Sequence, residues 1–600
     1  MWAPKRKQVE VVSPDGQLIA TLQPEGDGYF SGEAAGTGAG TLYRYRLDAQ
    51  GQYADPASRF QPDGPHGPSA VVDPSAFEWT DAAWRGSKLE GQVVYEMHIG
   101  TFTSEGTWAS AQRQLEELAG CGITLLEVMP VADFPGRFGW GYDGVGMFAP
   151  TWLYGEPDDM RRFVDRAHGL GLGVILDVVY NHLGPDGNYL REFSDWYFTS
   201  KYNNEWGDAI NFDGEHCEPV REFFIANARY WIDEFHLDGL RLDATQAIFD
   251  DSREHILLAI TRAVRGAARG RSTVIVGENE PQRSKLVRPA KQGGYELDAL
   301  WNDDFHHSAM VALTGRREAY YTDYYATAQE FVSMVKYGFL YQGQFYSWQK
   351  NPRGAPSLDI EPARFVLFIQ NHDQVANSLR GWRVHQLSSP ARFRVMTALF
   401  LLAPGTPMLF QGQEFGASSP FFYFADQNPE LSKKVREGRA EFLSQFPSIQ
   451  TPEAQECLTD PGNPATFERS KLDFGDRERN RPIYDLHKDL LRLRREDPVL
   501  RQQRRGAVDG AVLGPDRLVL RWFGGDGDDR LLLVCMGVDG ELEMNEPLLA
   551  PPEGRRWREL WSSESCRYAG SGSPGIVSQK QWRMAGESAI LLAAEPESDA

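Results

Sequence analysis

The chain has 600 residues, too many for one compact core, so about two to four domains are expected. Hydrophobic residues make up 41% of it, with 16 Trp, 23 Tyr and 33 Phe, enough to build real cores and to exclude a disordered chain. A formal charge of −22 argues against nucleic acid or an anionic membrane as partner and favours a neutral ligand.

The opening stretch MWAPKRKQVEVV lacks the apolar segment of a secretory signal, and no apolar run approaches the ~20 residues of a membrane span. Cys121, Cys217, Cys457, Cys535 and Cys566 are scattered, with no CxxC pair and no Cys/His cluster. A soluble protein of the reducing cytoplasm is the expectation. Residues 1–84 alternate in short runs broken by Gly and Pro (QVEVV, TLYRYRL), the pattern of a small antiparallel β domain. Within it, ADPASRFQPDGPHGPSAVVDPSAF is too rich in Pro, Gly and Asp for regular structure and reads as a linker that packs on the next domain.

From residue 85 to 498 the pattern changes. Apolar runs recur (VVYEMHIG, ITLLEVMPVADF, GVILDVVYNH, GLRLDA, TVIVGENE, DALWNDDFHH, FVLFIQNHD, PMLFQGQEF), and helical segments separate most of them. Eight buried strands alternating with helices predict an α/β fold closed as a (β/α)8 TIM barrel, with an open doubly wound sheet as the rival. Long insertions at 183–218, 311–362 and 416–482 are read as walls or lids of a site. After IYDLHKDLLRLRRED, residues 499–600 return to β alternation (RLVLRWFG, RLLLVCMGV, ESAILLAA) and predict a C-terminal antiparallel β-sandwich.

Polar residues gather where each barrel strand ends: Glu96 and His98, Asp177 with Asn181 and His182, Arg241 and Asp243, Glu278, Asp303 and Asp304, His372 and Asp373, Glu414. One such residue is well explained as a helix cap, but eight in register point to the catalytic rim of a barrel. Cleaving an acetal needs one carboxylic acid to protonate the leaving oxygen and a second carboxylate to meet the oxocarbenium-like carbon. Asp243 has Arg241 two residues before it, on the same face of the strand, which suits an ionised nucleophile; a purely structural ion pair is the competing reading. Glu278 has no neighbouring cation in sequence and suits the acid with a raised pKa. His182 and His372 suit hydrogen bonds to sugar hydroxyls. Metal ligation is the weaker reading, because no HExxH or close His pair is present. Trp140 and Tyr142 in GWGYDG are candidates for an aromatic platform. No cofactor and no metal are called for.

Four of these segments, DVVYNH (Asp177–His182), GLRLDA (Gly239–Ala244), VGENE (Val276–Glu280) and FIQNHD (Phe368–Asp373), resemble in order the signature regions of the α-amylase superfamily of glycosidases and transglycosylases. The resemblance implies that Asp243 is the nucleophile, Glu278 the acid/base and Asp373 the clamp on sugar hydroxyls, with Tyr142, His182, Arg241 and His372 around the cleaved sugar. YEMHIGTFTSEGTW, MPVADFPGRFGWGYDGV, WNDDFHHSAMVALTG and NHDQVAN are similar to the maltooligosyltrehalose trehalohydrolase subfamily. That resemblance implies retaining hydrolysis of the α-1,4 bond next to a terminal trehalose unit of maltooligosyl trehalose or related α-glucan oligosaccharides, in trehalose biosynthesis beside a maltooligosyl trehalose synthase. It also implies that Asp303, Asp304, His306 and His307 help bind the trehalose end and that Gln246, Gln374 and Asn377 line neighbouring positions. Members of that subfamily usually carry a further β segment ahead of Trp2–Pro4, so the first domain is expected to lack its first strand, and Glu280 stands where they more often have Asp. A glycogen-branching or debranching enzyme is the alternative within the superfamily, and a non-catalytic glucan-binding barrel the alternative outside it.

Overall fold

The computed structural model describes residues 1–542, 545–573 and 582–597. At the N-terminus, Val9–Val12 pairs antiparallel with Leu18–Thr21 and Leu42–Leu47, and Gln52–Tyr53 and Ser69–Ala70 extend the sheet to five strands. Its apolar face (Ala3, Val9, Leu22, Phe30, Leu47) closes over Phe193, which belongs to the first long insertion of the next domain. The linker packs on the barrel domain, Arg59 donating to Glu234 and His66 meeting the Tyr189 hydroxyl, both at 2.7 Å, and the residues just after it add to this contact. Trp84 stacks on His168 with ring centroids 4.7 Å apart and donates from Nε1 to Asp238 at 2.7 Å, while Asp81 accepts from both His168 and His236.

Eight parallel strands then close a barrel: β1 (Val94–Met97), β2 (Leu125–Val128), β3 (Gly173–Val178), β4 (Gly239–Leu242), β5 (Val274–Gly277), β6 (Ala299–Trp301), β7 (Phe365–Leu367) and β8 (Thr406–Phe410), with β8 pairing back to β1. Around it run α1 (Leu115–Cys121), α2 (Pro157–Gly169), α3 (Cys217–Glu234), α4 (Ile256–Ala267), α5 (Asp303–Thr314), α6 (Ala328–Tyr337) and α7 (Pro390–Leu402); α8 (Pro429–Leu443) and α9 (Arg481–Glu496) follow β8. One expected helix is absent among the described residues. The β5–β6 connection holds only the 3₁₀ turns Ser284–Val287 and Ala290–Gln292, because Pro281, Pro289, Gly293 and Gly294 interrupt any longer helix.

Strands covered on both faces sort their side chains by alternation. In β4, Leu240 and Leu242 join the apolar layer between strands and helices, so Arg241 and Asp243 project into the barrel itself. The barrel interior is apolar lower down (Val94, Leu125, Ile175, Val274, Val366, Met408); Glu96, Glu127 and Asp177 lie two residues past Val94, Leu125 and Ile175, and Arg241 two past Gly239. Gly239 opens β4 because any Cβ there would lie 1.7 Å from the carbonyl oxygen of Val274 on β5.

The C-terminal strands Val508–Gly514, Arg517–Trp522, Arg530–Cys535, Arg555–Ser562 and Ser588–Pro596 form a five-stranded antiparallel sheet. Alternation divides its faces: Leu518, Leu520, Trp522, Leu532 and Val534 merge with the core of the barrel domain, and Val519, Leu531, Leu533 and Cys535 form a separate small core. Among the described residues no helix is long and apolar enough to cross a membrane.

Candidate active site

The C-terminal ends of β3 to β7 converge on a cleft enclosing about 580 Å³. Glu278, Asp303, His307, Asp373, Gln374, Asn377 and Gln246 line it, with Asp243 just beneath, 8% exposed. Local structure presents these groups. After β4 the chain turns sharply at Ala244, whose φ of 38° is a left-handed conformation costly for a residue with a Cβ. The turn aims the Ala244 N–H at Oε2 of Glu278, 3.0 Å away. After β7, Asn371 caps a one-turn helix by accepting from the N–H of Gln374, so Asp373 and Gln374 stand on its first turn.

Arg241 organises the acids. Its Nη1 donates to both oxygens of Asp177 at 2.9 and 2.8 Å and to Oδ1 of Asp243 at 2.8 Å; its Nη2 donates to Oε2 of Glu278 at 2.7 Å. The guanidinium lies 4.2 Å from the Trp301 ring centre. The expectation that Glu278 stands apart from any cation is therefore corrected. Register places Arg241 opposite Val276, so Glu278 comes level with Asp243 and one arginine reaches both. Burial raises the pKa of both carboxyls. For Asp243 Arg241 opposes the rise; Glu278, with Arg241 opposing and Asp243 and Asp373 adding to the rise, is pushed up to about 7. Asn181 adds a second contact to the nucleophile candidate, donating to Oδ2 of Asp243 at 3.0 Å. Asp243 and Glu278 stand level on adjacent strands and share the Arg241 guanidinium, an arrangement that suits the short carboxyl separation (about 5 Å) of retaining rather than inverting glycosidases.

Beneath the cleft, the Tyr142 hydroxyl donates to Asp177 at 2.6 Å and lies 3.0 Å from Nε2 of His372. His182 packs under the exposed ring of Trp206 and hydrogen-bonds to Asn181; burial lowers its pKa to about 4. Asp303 is pushed up to about 8 by burial, against the pull of Arg353.

Other sequence candidates lie elsewhere. Asp304 is fully buried behind the wall, accepting from Tyr324, Arg353 and the N–H groups of Leu340 and Tyr341. His306 stacks on Phe368 away from the cleft. Trp140 is no platform: it is 5% exposed and stacked on Phe421. Glu414 accepts from Tyr95 and His98 bonds to Gly139 and Tyr154, both away from the cleft. The exposed aromatics in the cleft are Trp206, Trp348 and Phe442, each from an insertion. Loop aromatics carry no periodicity that would single them out. Arg353 likewise has no signal in the sequence; it is fully buried in a hairpin (Gln342–Tyr346 with Asn351–Gly354) and paired with Glu280, Asp303 and Asp304.

A closed parallel barrel whose strand ends bring an Arg-held aspartate and a raised-pKa glutamate into one cleft defines a glycoside hydrolase of the α-amylase class. Residues 72–213 match the model of the α-amylase catalytic domain, and residues 505–592 match a domain family of unknown function, DUF3459. The chain is 42% identical over 540 residues to the malto-oligosyltrehalose trehalohydrolase of Deinococcus radiodurans, covering 88% of this chain and 87% of that one. It is 40% identical over 497 residues to that of Saccharolobus solfataricus, covering 83% and 84%. A crystal structure described as a putative α-amylase from Salmonella typhimurium superposes with a TM-score of 0.86 at 36% identity, covering 99% and 97%. The chain belongs to the malto-oligosyltrehalose trehalohydrolase family.

Proposed function

We propose that the protein hydrolyses the α-1,4-glucosidic bond next to the terminal trehalose of maltooligosyl trehalose, releasing trehalose and a shortened maltooligosaccharide. The observation that carries the reading is the Asp243–Arg241–Glu278 arrangement, set in a chain about 40% identical to trehalohydrolases over most of its length. Asp243 attacks the anomeric carbon as the C1–O bond breaks, and Glu278 gives its proton to the leaving oxygen of trehalose. Glu278 then takes a proton from water, which attacks the glycosyl ester on Asp243 and restores the α configuration. Asp373 accepts hydroxyls of the sugar under attack, with Tyr142, His182, Arg241 and His372 arranged below it. Asp303, His307, Gln246, Gln374 and Asn377 bind sugars along the cleft, and Asp304 and His306 support the wall from behind. The natural supplier of substrate is an enzyme that converts the reducing end of a maltooligosaccharide to trehalose, and the setting is the cytoplasm. No cofactor takes part.

The test is incubation with maltooligosyl trehalose and, separately, with glycogen. Trehalose appears only from the first, and the Asp243→Asn variant binds the substrate but releases trehalose slower by several orders of magnitude. A branched or debranched glycogen product with no trehalose from the first substrate transfers the protein to the alternative activity.

A further inference from the structure

The chemistry above does not use Glu96, a 1%-exposed carboxylate on β1 that never reaches the cleft. Both of its oxygens serve one residue. Oε2 accepts the backbone N–H of His372 at 3.0 Å, and Oε1 faces Nδ1 of the same ring. A nitrogen facing a carboxylate oxygen at hydrogen-bond distance carries the hydrogen. The other ring nitrogen, Nε2, lies 3.0 Å from the Tyr142 hydroxyl, whose single proton is given to Asp177. Both oxygens of Asp177 accept from Arg241, whose charge favours the carboxylate against the burial that raises its pKa, so Asp177 serves as the acceptor. The phenol oxygen therefore accepts from Nε2–H, and both nitrogens of His372 carry hydrogen.

We propose that Glu96 is a positioning residue for the reaction: it holds His372 as an imidazolium, which locks Tyr142 onto Asp177 and sets a positive charge 4.0 Å from the Asp373 carboxylate. The titratable groups around the ring come from several strands: Glu96 on β1, Glu127 on β2, whose carboxyl burial pushes well above the usual range, Asp177 on β3, Arg241 on β4 and Asp373 on the helix of His372 itself, with His98, whose pKa burial lowers, after β1. Tyr142 stacks on the ring at 5.3 Å, Trp140 meets it edge-to-face at 5.0 Å and Trp301 lies tilted at 6.2 Å. Burial alone lowers the histidine pKa; Glu96 and then Asp373 outweigh it and bring His372 up to about 9. His98 and His306, equally buried but without a carboxylate partner, are pushed down to about 4 and about 3.

The experiment is nitrogen-15 histidine NMR of the full chain, with the His372 signal assigned by its loss in His372→Asn, combined with kinetics of Glu96→Gln. The expected wild-type spectrum shows both ring nitrogens protonated at neutral pH, losing a proton only near pH 9. In Glu96→Gln, which keeps the shape but not the charge, the ring becomes neutral at neutral pH. There kcat falls about 10- to 100-fold with KM nearly unchanged, and activity partly recovers toward acid pH as the ring regains its proton. A merely structural contact would leave the shape of the pH profile unmoved. A neutral His372 in the wild type, or a Glu96→Gln enzyme with wild-type kcat and pH profile, overturns the proposal. If that variant does not fold, the wild-type spectrum decides alone. The kinetic arm rests on the trehalose-releasing reading, whereas the spectrum needs no substrate. Failure to release trehalose therefore counts against that activity, and a neutral ring counts against Glu96.

Discussion

Arg241 divides the work between the two acids by where its nitrogens point. Nη1 bridges Asp177 and Asp243, and Nη2 holds the far side of Glu278. The sequence spacing shows only the first contact, since i−2 neighbours share a strand face; the second depends on the register between β4 and β5. Glu278 loses more from burial beside Asp243 and Asp373 than Arg241 returns, which leaves it near pKa 7. It is protonated, and able to donate, below that value and ionised above it. The alkaline limb of kcat/KM is therefore expected near pH 7. Glu278→Gln abolishes that limb along with most turnover; a variant whose rate and profile match the wild type contradicts the assignment of the acid.

At the scale of elements, the scaffold was legible and the walls were not. Each barrel strand announces itself as an apolar run; on β1, β2, β3, β5 and β6 a polar residue sits two positions past an interior apolar one, and on β4 the alternation that buries Leu240 and Leu242 exposes Arg241 and Asp243 to the interior. The insertions have no such period. Their contribution comes through contacts across tens of residues, as when Arg353 reaches Glu280, Asp303 and Asp304. Nothing near Arg353 in sequence marks it. Glu280 also accepts from Gln349 at 2.5 Å, which ties the hairpin to the segment after the acid. Removing the guanidinium leaves the buried Asp303 and Asp304 without their cation, a loss of about 3 kcal/mol. Arg353→Met is therefore expected to lower the melting temperature and to raise KM for maltooligosyl trehalose more than it lowers kcat. Equal effects on both constants would detach the hairpin from substrate binding.

Across the whole molecule, the N-terminal sheet meets the insertion after β3 and the C-terminal sheet meets the core of the barrel domain. The segment after the linker is held by a polar cluster, with His168 between Asp81 and Asp238 under the Trp84 ring. Burial lowers the His168 pKa, but Asp238 and Asp81 raise it further, for a net rise above its unfolded value. Such a group stabilises fully below the unfolded pKa of about 6.5, and its contribution fades as pH rises through the folded one. The melting temperature of His168→Phe should thus fall furthest below wild type near pH 6, with the gap narrowing toward pH 9; a constant gap means that the ring serves by packing alone. The C-terminal sheet was legible as alternation, but only the structure shows that one of its faces belongs to the barrel's core. Which surface a strand face meets is decided by distant helices, not by its own period.

The central claim is that Asp243 and Glu278 cut the bond beside trehalose with retention. A proton NMR time course on maltooligosyl trehalose reads both halves at once, before the new reducing end mutarotates. Trehalose signals are expected to grow together with an α-anomeric reducing end. A β-anomer appearing first, or shortened glucan without trehalose, contradicts the claim.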